Sequence, residues 1–218
     1  MNGPQLIEDT IAFVKHTLKG AEGGHDWFHI QRVFNNAKSI AKQEPVDPLI
    51  VALGALLHDI ADAKFHDGDE TVGPKVASTF LRSKAVADPV LTHVVKIVEN
   101  ISFKNSLETT AVAPFRSLEL QVVQDADRLD AIGAIGIARA FNYGGFKNRV
   151  LYDPEIAPDL QLTKEAYKAA KSPTINHFYE KLLLLKDQMN TPTGKQMAEE
   201  RHQFMLDYLN QFYKEWEG

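Results

Sequence analysis

The segment Ala55-Leu56-Leu57-His58-Asp59-Ile60 places a histidine beside an aspartate at the end of a strongly apolar run. The run from about Pro48 to Asp62 is apolar on nearly every side, which predicts a buried helix. Asp47, just before it, is a residue type that favours the first position of a helix. A charged carboxylate is costly to bury unless it is paired or binds a metal. The segment therefore indicates that His58 and Asp59 have a partner in the core.

Further residues of the types that bind metals lie in two other predicted helices. His29 lies in the helix before this run, and Asp125, Asp127 and Asp130 crowd into an apolar helix further along the chain. Asp127 and Asp130 are three residues apart and share a helix face, whereas Asp125 points elsewhere. One histidine, a His-Asp pair and a later aspartate would provide two nitrogens and two oxygens to a cation. Imidazole with carboxylate suits Mn, Fe, Co, Ni or Zn better than Ca.

Each of these residues taken alone also has a plainer explanation. A lone histidine on a helix is more often a surface or hydrogen-bonded core residue than a metal ligand, and three acidic residues in one helix can form a solvated face. The combination on three apolar helices is what favours a metal site.

Apolar residues recur at helical spacing along most of the chain, and strong strand alternation is absent. We therefore expect one all-α domain spanning residues 1–218. Gly20 is expected to close the first helix, and Thr191 and Thr193 are candidate caps for the last. The segment 142–158 contains Gly144, Gly145 and two prolines, and is predicted to be a loop. The spacing predicts helices over about 6–18, 26–42, 48–62, 74–83, 88–101, 117–141, 175–189 and 193–215.

Composition excludes several classes of site and partner. The chain has 218 residues, a formal net charge of −5 and no cysteine, so disulfides, zinc-thiolate sites and cysteine nucleophiles are ruled out. An acidic balance argues against nucleic acid as the main partner. Glu8, Asp9 and Lys15 interrupt any apolar core of a signal peptide. No apolar run approaches the roughly 20 residues of a membrane span, so we expect a cytoplasmic protein without a membrane partner.

Three ordered motifs resemble those of the HD-domain phosphohydrolase superfamily: His29-Ile-Gln-Arg-Val33, Ala55-Leu-Leu-His-Asp-Ile60 and Asp125-Ala-Asp-Arg-Leu-Asp130. The lead-in His25-Asp-Trp-Phe-His29 is similar to the small, single-domain bacterial branch. The resemblance covers about 25–139 and, more loosely, the C-terminal helices at about 173–216. It implies a single-domain, all-α HD-type helical bundle with a metal site in its core.

The resemblance also implies a set of metal ligands. One divalent transition metal is expected, with Mn as the first choice and Mg, Co, Ni, Fe or Zn as alternatives. Asp125 remains the alternative fourth ligand. His25, one turn before His29, is expected beside the ligands or facing substrate, or as a ligand if a second metal binds. The implied ligands are His29, His58, Asp59 and Asp127.

The implied reaction is metal-dependent hydrolysis of a phosphoester or phosphoanhydride bond in a small phosphorylated molecule. A nucleotide is the expected substrate. The chain would then be a nucleoside triphosphate pyrophosphohydrolase or a nucleotidase. Asp62, three residues after Asp59, is the candidate general base, although it could instead cap the helix or pair with Lys64. Asp59 and Lys64 complete the expected catalytic set. The expected substrate-binding residues are His25, Arg32, Lys104, Arg139 and Tyr143.

Two other functions fit the same resemblance. Some members of the superfamily are di-iron oxygenases, for which His25, His66 or His93 would supply additional ligands. A non-catalytic module could use the same pocket to sense a nucleotide. A homodimer is compatible with either function.

Overall fold

The computed structural model describes residues 2–20, 26–61, 69, 71–101, 115–160 and 172–218. Within these residues it contains nine α-helices, one 3₁₀ helix and no strand, which confirms the all-α prediction. No helix in these ranges combines the length and the apolarity that a membrane span requires. The α-helices are α1 (Gly3–Thr17), α2 (Trp27–Ala41), α3 (Pro48–Leu57), α4 (Val72–Ser83), α5 (Asp88–Asn100), α6 (Leu118–Asp130), α7 (Gly133–Phe146), α8 (Asn176–Glu180) and α9 (Pro192–Glu217), and the 3₁₀ helix is Leu182–Gln188.

The helices group into two compact units, Met1–Asp127 and Arg128–Gly218, with the boundary inside α6. The expectation of a single domain stays a prediction. In the first unit α3 is central: it packs against α1, α2 and α5, and its residues from Ile50 to Leu57 are all buried. A Cβ on Gly54 would lie 3.1 Å from the Ile97 side chain and 3.4 Å from the Val123 side chain. A glycine here therefore lets α5 and α6 approach α3 closely.

Side-chain caps explain where three of the helices begin. Asp26 accepts a hydrogen bond from the His29 N–H at the start of α2, and Asp47 accepts from the N–H groups of Leu49 and Ile50 at the start of α3. Thr191 does the same for α9, where its hydroxyl accepts from the N–H of Gly194. These oxygens satisfy N–H groups that have no partner within the helix. The caps predicted at Asp47 and Thr191 are confirmed.

In the second unit, α9 packs against α7 and the 3₁₀ helix. Aromatic rings fill much of this contact. Phe178 of α8 is fully buried beside Phe141 of α7 and Tyr208 of α9, with ring centroids 6.0 and 6.1 Å away. The predicted single helix over 175–189 is wrong. The α-helix ends before Lys181, and a 3₁₀ helix follows it. Three residues per turn place Leu182 and Leu185 on one side, where both are buried.

Glycines account for two further corrections. The predicted loop over 142–158 is wrong at its start, because Asn142–Phe146 belongs to α7. Gly144 serves close packing rather than a turn, since a Cβ there would lie 2.2 Å from the Thr174 hydroxyl. The predicted helix over 117–141 is also wrong, because the chain turns between α6 and α7. Gly133 begins α7 with φ +73°, and a Cβ there would lie 3.0 Å from the Arg201 side chain.

Replacing Gly133 with alanine should destabilise the protein. An L residue in the left-handed region costs about 1–2 kcal/mol, and the contact with Arg201 adds to that cost. Urea unfolding should show the loss. Gly145→Ala is the matched control, because Gly145 lies in α7 with nothing within 4 Å of its would-be Cβ. That variant should match or exceed the wild-type stability, by up to about 1 kcal/mol. Equal effects of the two substitutions would contradict this explanation of the turn.

The stability of the chain should depend on the protonation of His177 in α8. Burial, together with the cations of Lys181 and Arg149, lowers the pKa of His177 from 6.5 to about 4. The neutral ring is therefore favoured in the folded state. Its contribution to the free energy of unfolding is fully present above pH 6.5. It is lost as the pH falls from 6.5 towards 4, because the unfolded chain binds the proton first.

Between pH 7.5 and pH 5 we expect the free energy of unfolding to fall by about 2 kcal/mol through His177. Urea unfolding of wild type and His177→Gln at both values measures the difference, and the variant should lack this part of the pH dependence. His16→Gln, which changes an exposed histidine, should retain it. A His177→Gln variant with the wild-type pH dependence would contradict the prediction.

Candidate metal centre

His58 and Asp59 lie in the turn after α3 rather than inside the helix. The predicted extension to Asp62 is wrong, because α3 ends at Leu57 and His58 is its C-cap. The N–H of Ile60 donates to the Leu57 carbonyl across this turn, over 3.2 Å. His58 keeps helical backbone angles (φ −57°, ψ −32°), and the two neighbouring side chains still bring ligand atoms within 4.8 Å of each other.

A hydrogen bond sets the orientation of the His58 ring. Its Nδ1 lies 2.8 Å from the carbonyl oxygen of Ala55, and both groups are buried. A carbonyl oxygen can only accept, so Nδ1 is the protonated nitrogen. In the neutral ring the lone pair is then on Nε2, the form in which histidine binds metals. A histidine ligand usually donates its other ring N–H in this way, which fixes the ring and raises its basicity.

His29 comes from the first turn of α2 and faces His58. Its backbone N–H is held by Asp26 over 3.0 Å, and only 3% of the residue is exposed. The two imidazole rings stand edge to face, with centroids 5.4 Å apart and an angle of 68°. Two buried imidazoles at this separation are close enough to serve one ion.

Together with Asp59 they form a compact group of potential ligands. One ligand atom each from His29, His58 and Asp59 lies within 4.8 Å of the other two. Bonds of about 2.1 Å to one ion place ligand atoms about 3 to 4 Å apart. Both histidines are buried and Asp59 is partly exposed. The donor set and its dimensions therefore fit a divalent transition metal.

Asp127 brings a second carboxylate from α6. Its Oδ1 lies 3.5 Å from Nε2 of His29 and 3.9 Å from Nε2 of His58, and 42% of its side chain is exposed. These distances are too long for direct N–H···O hydrogen bonds. They match the spacing of ligands around one ion. Asp125 on the same helix is fully buried and remains the alternative fourth ligand.

Known proteins resemble this chain in sequence and in structure. The family model described as HD domain matches residues 27–132, which contain all four expected ligands. A crystal structure of an HD-superfamily hydrolase from Bacillus thuringiensis is 44% identical, covers 100% of both chains and superposes with a TM-score of 0.81. The chain belongs to the HD-domain family. The resemblance predicted from the three motifs is thereby confirmed, and so is the predicted similarity to the small bacterial branch of the superfamily.

Two further comparisons concern one relative of this HD-domain chain. The uncharacterized protein YpgQ of Bacillus subtilis strain 168 is 39% identical over 213 residues, which cover 97% of this chain and 94% of YpgQ. The crystal structure of Bacillus subtilis YpgQ in complex with ADP has a TM-score of 0.77 and covers 99% and 97% of the two chains, at 36% identity in the superposition.

Several residues expected at the site lie outside the described residues of the HD-domain chain: His25, Asp62, Lys64, His66 and Lys104. Arg32 lies on α2, one turn after His29, and is partly buried. Its expected contact with substrate stays a prediction.

Arg139 and Tyr143 lie in the second unit, on α7. Arg139 donates to the Asp130 carboxylate over 2.5 Å and to the Asp130 carbonyl over 3.2 Å. Asp130 is only 1% exposed, so Arg139 compensates a buried negative charge. Tyr143 is exposed, with Lys147 and Arg149 5.7 and 5.6 Å from its ring centre. Substrate contacts of Arg139 and Tyr143 stay predictions.

Sequence patterns missed the partners of Asp130 and the orienting bond of His58. The spacing of three residues predicts that Asp130 shares a helix face with Asp127. In the structure Asp127 approaches the two histidines, while Asp130 pairs with Arg139. Residue spacing carries no signal for the His58–Ala55 bond, because that bond depends on how α3 ends.

Divalent manganese should stabilise the wild-type chain, because an ion that binds only the folded state raises its stability. The gain is about 2.7 kcal/mol at one hundred times the dissociation constant. Thermal unfolding with and without Mn²⁺ measures the shift, which His29→Gln and His58→Gln should abolish. His16→Gln changes an exposed histidine and should keep the shift. A full manganese shift in His58→Gln would show that this ring is not a ligand.

Proposed function

We propose that the chain is a divalent-metal-dependent phosphohydrolase that cleaves a phosphoester or phosphoanhydride bond of a nucleotide. The two activities we put forward are nucleoside triphosphate pyrophosphohydrolysis and nucleotidase activity. Hydrolase relatives in the HD family support the reaction class. The observation that carries the proposal is the convergence of ligand atoms from His29, His58 and Asp59 within 4.8 Å.

A nucleotide is proposed as the substrate because of one relative. YpgQ of Bacillus subtilis, 36% identical in the superposition, was crystallised in complex with ADP. ADP combines a base, a ribose and a phosphoanhydride, which are the features of the proposed substrate. The acidic net charge of −5 fits a small phosphorylated ligand bound through a metal better than it fits a nucleic acid.

The four ligands proposed for the metal are His29, His58, Asp59 and Asp127, and Mn is the metal we propose first. A divalent ion held there supplies electrophilic polarisation of a phosphoryl oxygen and a bound water of lowered pKa. The bond from His58 to the Ala55 carbonyl keeps that imidazole in its binding orientation. The partly exposed Asp127 and Asp59 lie on the side of the group that water and a phosphate can reach.

Other side chains are proposed to act on the substrate. Asp62 follows Asp59 by three residues and is proposed to take a proton from the attacking water. Lys64, together with Arg32 on α2, is proposed to neutralise the phosphate oxygens as negative charge develops on them. His25, Lys104, Arg139 and Tyr143 are the remaining proposed substrate contacts. A cytoplasmic location and a homodimer stay predictions.

The alternative functions have less support. A di-iron oxygenase would need additional ligands, and His93 is one of the residues expected to supply them. In the structure its Nε2 lies 2.9 Å from the Ser117 hydroxyl and 3.4 Å from the Glu119 carboxylate. His93 thus links α5 to the start of α6. A module that senses nucleotides would bind ADP and Mn²⁺ without turnover, so an activity assay separates it from the enzyme.

Purified protein should release phosphate or pyrophosphate from a nucleotide panel, assayed with Mn, Mg, Co, Ni, Fe and Zn and with both products measured separately. EDTA should remove the activity, and added Mn²⁺ should restore it. Asp59→Asn should lower turnover by about 100-fold or more, because loss of a ligand exceeds the 10–100-fold typical of groups that only orient ligands. Asp88→Asn, which changes an exposed carboxylate, is the control and should leave turnover unchanged.

Nucleotide hydrolysis that persists at full rate in EDTA, or in Asp59→Asn, would refute the proposed metal-dependent reaction. Manganese and ADP binding with no turnover on any phosphoester or nucleotide tested would favour the sensing module instead.

A further inference from the structure

The side chain of Asn36 joins α2 to α6 one residue before Asp127. Its Nδ2 donates to the carbonyl oxygen of Ala126 over 3.3 Å, at a point where Ala126 is fully buried. A carbonyl oxygen has two lone pairs, so it can accept from Asn36 as well as within a helix. Buried bonds from a side-chain amide to another helix's backbone are sensitive to small displacements, because a lost partner leaves a polar group unsatisfied.

This bond lies on the same face of α2 as the candidate metal centre. Asn36 follows His29 by seven residues, which is close to two helical turns and about 10 Å along the axis. The face therefore contacts two consecutive residues of α6. His29 Nε2 lies 3.5 Å from the Asp127 carboxylate, and Asn36 holds the Ala126 carbonyl. Of these two approaches only the Asn36 bond is a hydrogen bond, so it is the polar link that fixes α6 against α2 beside Asp127.

The Asp127 carboxylate depends on its helix for its place. Within the described ranges its polar contacts are the two imidazoles, at 3.5 and 3.9 Å. Neither distance is a hydrogen bond that could hold the carboxylate in position. Its distance from His29 is therefore set by how α6 lies against α2.

We propose that Asn36 is a positioning residue for the metal centre. It holds the C-terminal part of α6 where the Asp127 carboxylate and the His29 imidazole can bind the same ion. The inference rests on the proposed function, because it assumes that these side chains bind a metal. The amphipathic pattern of α2 is consistent with the role. Asn36 falls between Val33 and Ile40 on the buried side of the helix, where an apolar residue would be expected.

Gln124 provides a matched control on α6, the helix that carries Asp127. Its Nε2 donates to the carbonyl oxygen of Asn100 at the end of α5, over 3.1 Å. Like Asn36, it makes a partly buried bond from a side-chain amide to the backbone of another helix. Helix α5 carries none of the four proposed ligands. Loss of the Gln124 bond removes a link between α6 and α5 but leaves the Asn36 bond between α2 and α6 in place, so it should reduce stability with little effect on the distance between Asp127 and His29.

The test compares Asn36→Leu and Asn36→Ser with Gln124→Met. Electron paramagnetic resonance of free Mn²⁺ during titration gives the manganese affinity, and urea unfolding gives the stability of each variant. We expect both Asn36 variants to weaken manganese binding by about tenfold, the low end of the effect of groups that orient metal ligands. The manganese affinity of Gln124→Met should stay within about twofold of wild type. Its loss of stability in urea should be similar to that of the Asn36 variants.

The outcomes separate this inference from the proposed function. A wild-type chain that binds no Mn²⁺ would refute the metal centre and the role of Asn36 with it. If wild type binds Mn²⁺ but the Asn36 variants bind it equally well, or if Gln124→Met weakens binding as much, only the positioning role is wrong. Should Asn36→Leu fail to fold, the smaller Asn36→Ser decides the result.

Discussion

Two imidazoles can bind one ion only if each presents an unprotonated nitrogen to it. The hydrogen bond from His58 Nδ1 to the Ala55 carbonyl meets that requirement, because it leaves the lone pair of the neutral ring on Nε2. The bond is possible because α3 ends at Leu57, so the Ala55 carbonyl is among the last four of the helix, which need partners from outside the helical ladder. The local end of one apolar helix thus determines where the candidate metal centre can form.

Packing around α3 supplies the rest of the geometry. Its residues from Ile50 to Leu57 are all buried, and Gly54 admits the side chains of α5 and α6 to close contact. Such an interior cannot solvate a charge, and the two carboxylates of the centre, Asp59 and Asp127, lie at its edge and are partly exposed. A divalent ion shared by His29, His58 and two carboxylates would compensate that charge. The packing of the apolar core around α3 therefore positions the ionisable side chains of the candidate metal centre.

The residues of the centre could be predicted from sequence because burial and charge conflict in a recognisable way. A His-Asp pair at the end of an apolar run stands out, and Asp47 marks the start of that helix. The remaining geometry was beyond the pattern. Gly133 and Gly144 look alike in sequence, yet one permits a turn with φ +73° and the other permits contact with Thr174. Only the three-dimensional neighbours distinguish the two cases.

Anomalous diffraction at the manganese edge, from crystals of this protein grown with Mn²⁺, tests the shared ligation most directly. We expect one strong peak about 2.0–2.4 Å from Nε2 of His29, Nε2 of His58 and the Asp59 and Asp127 carboxylates. A peak bound by other residues, or no peak at these four side chains despite saturating Mn²⁺, would contradict it.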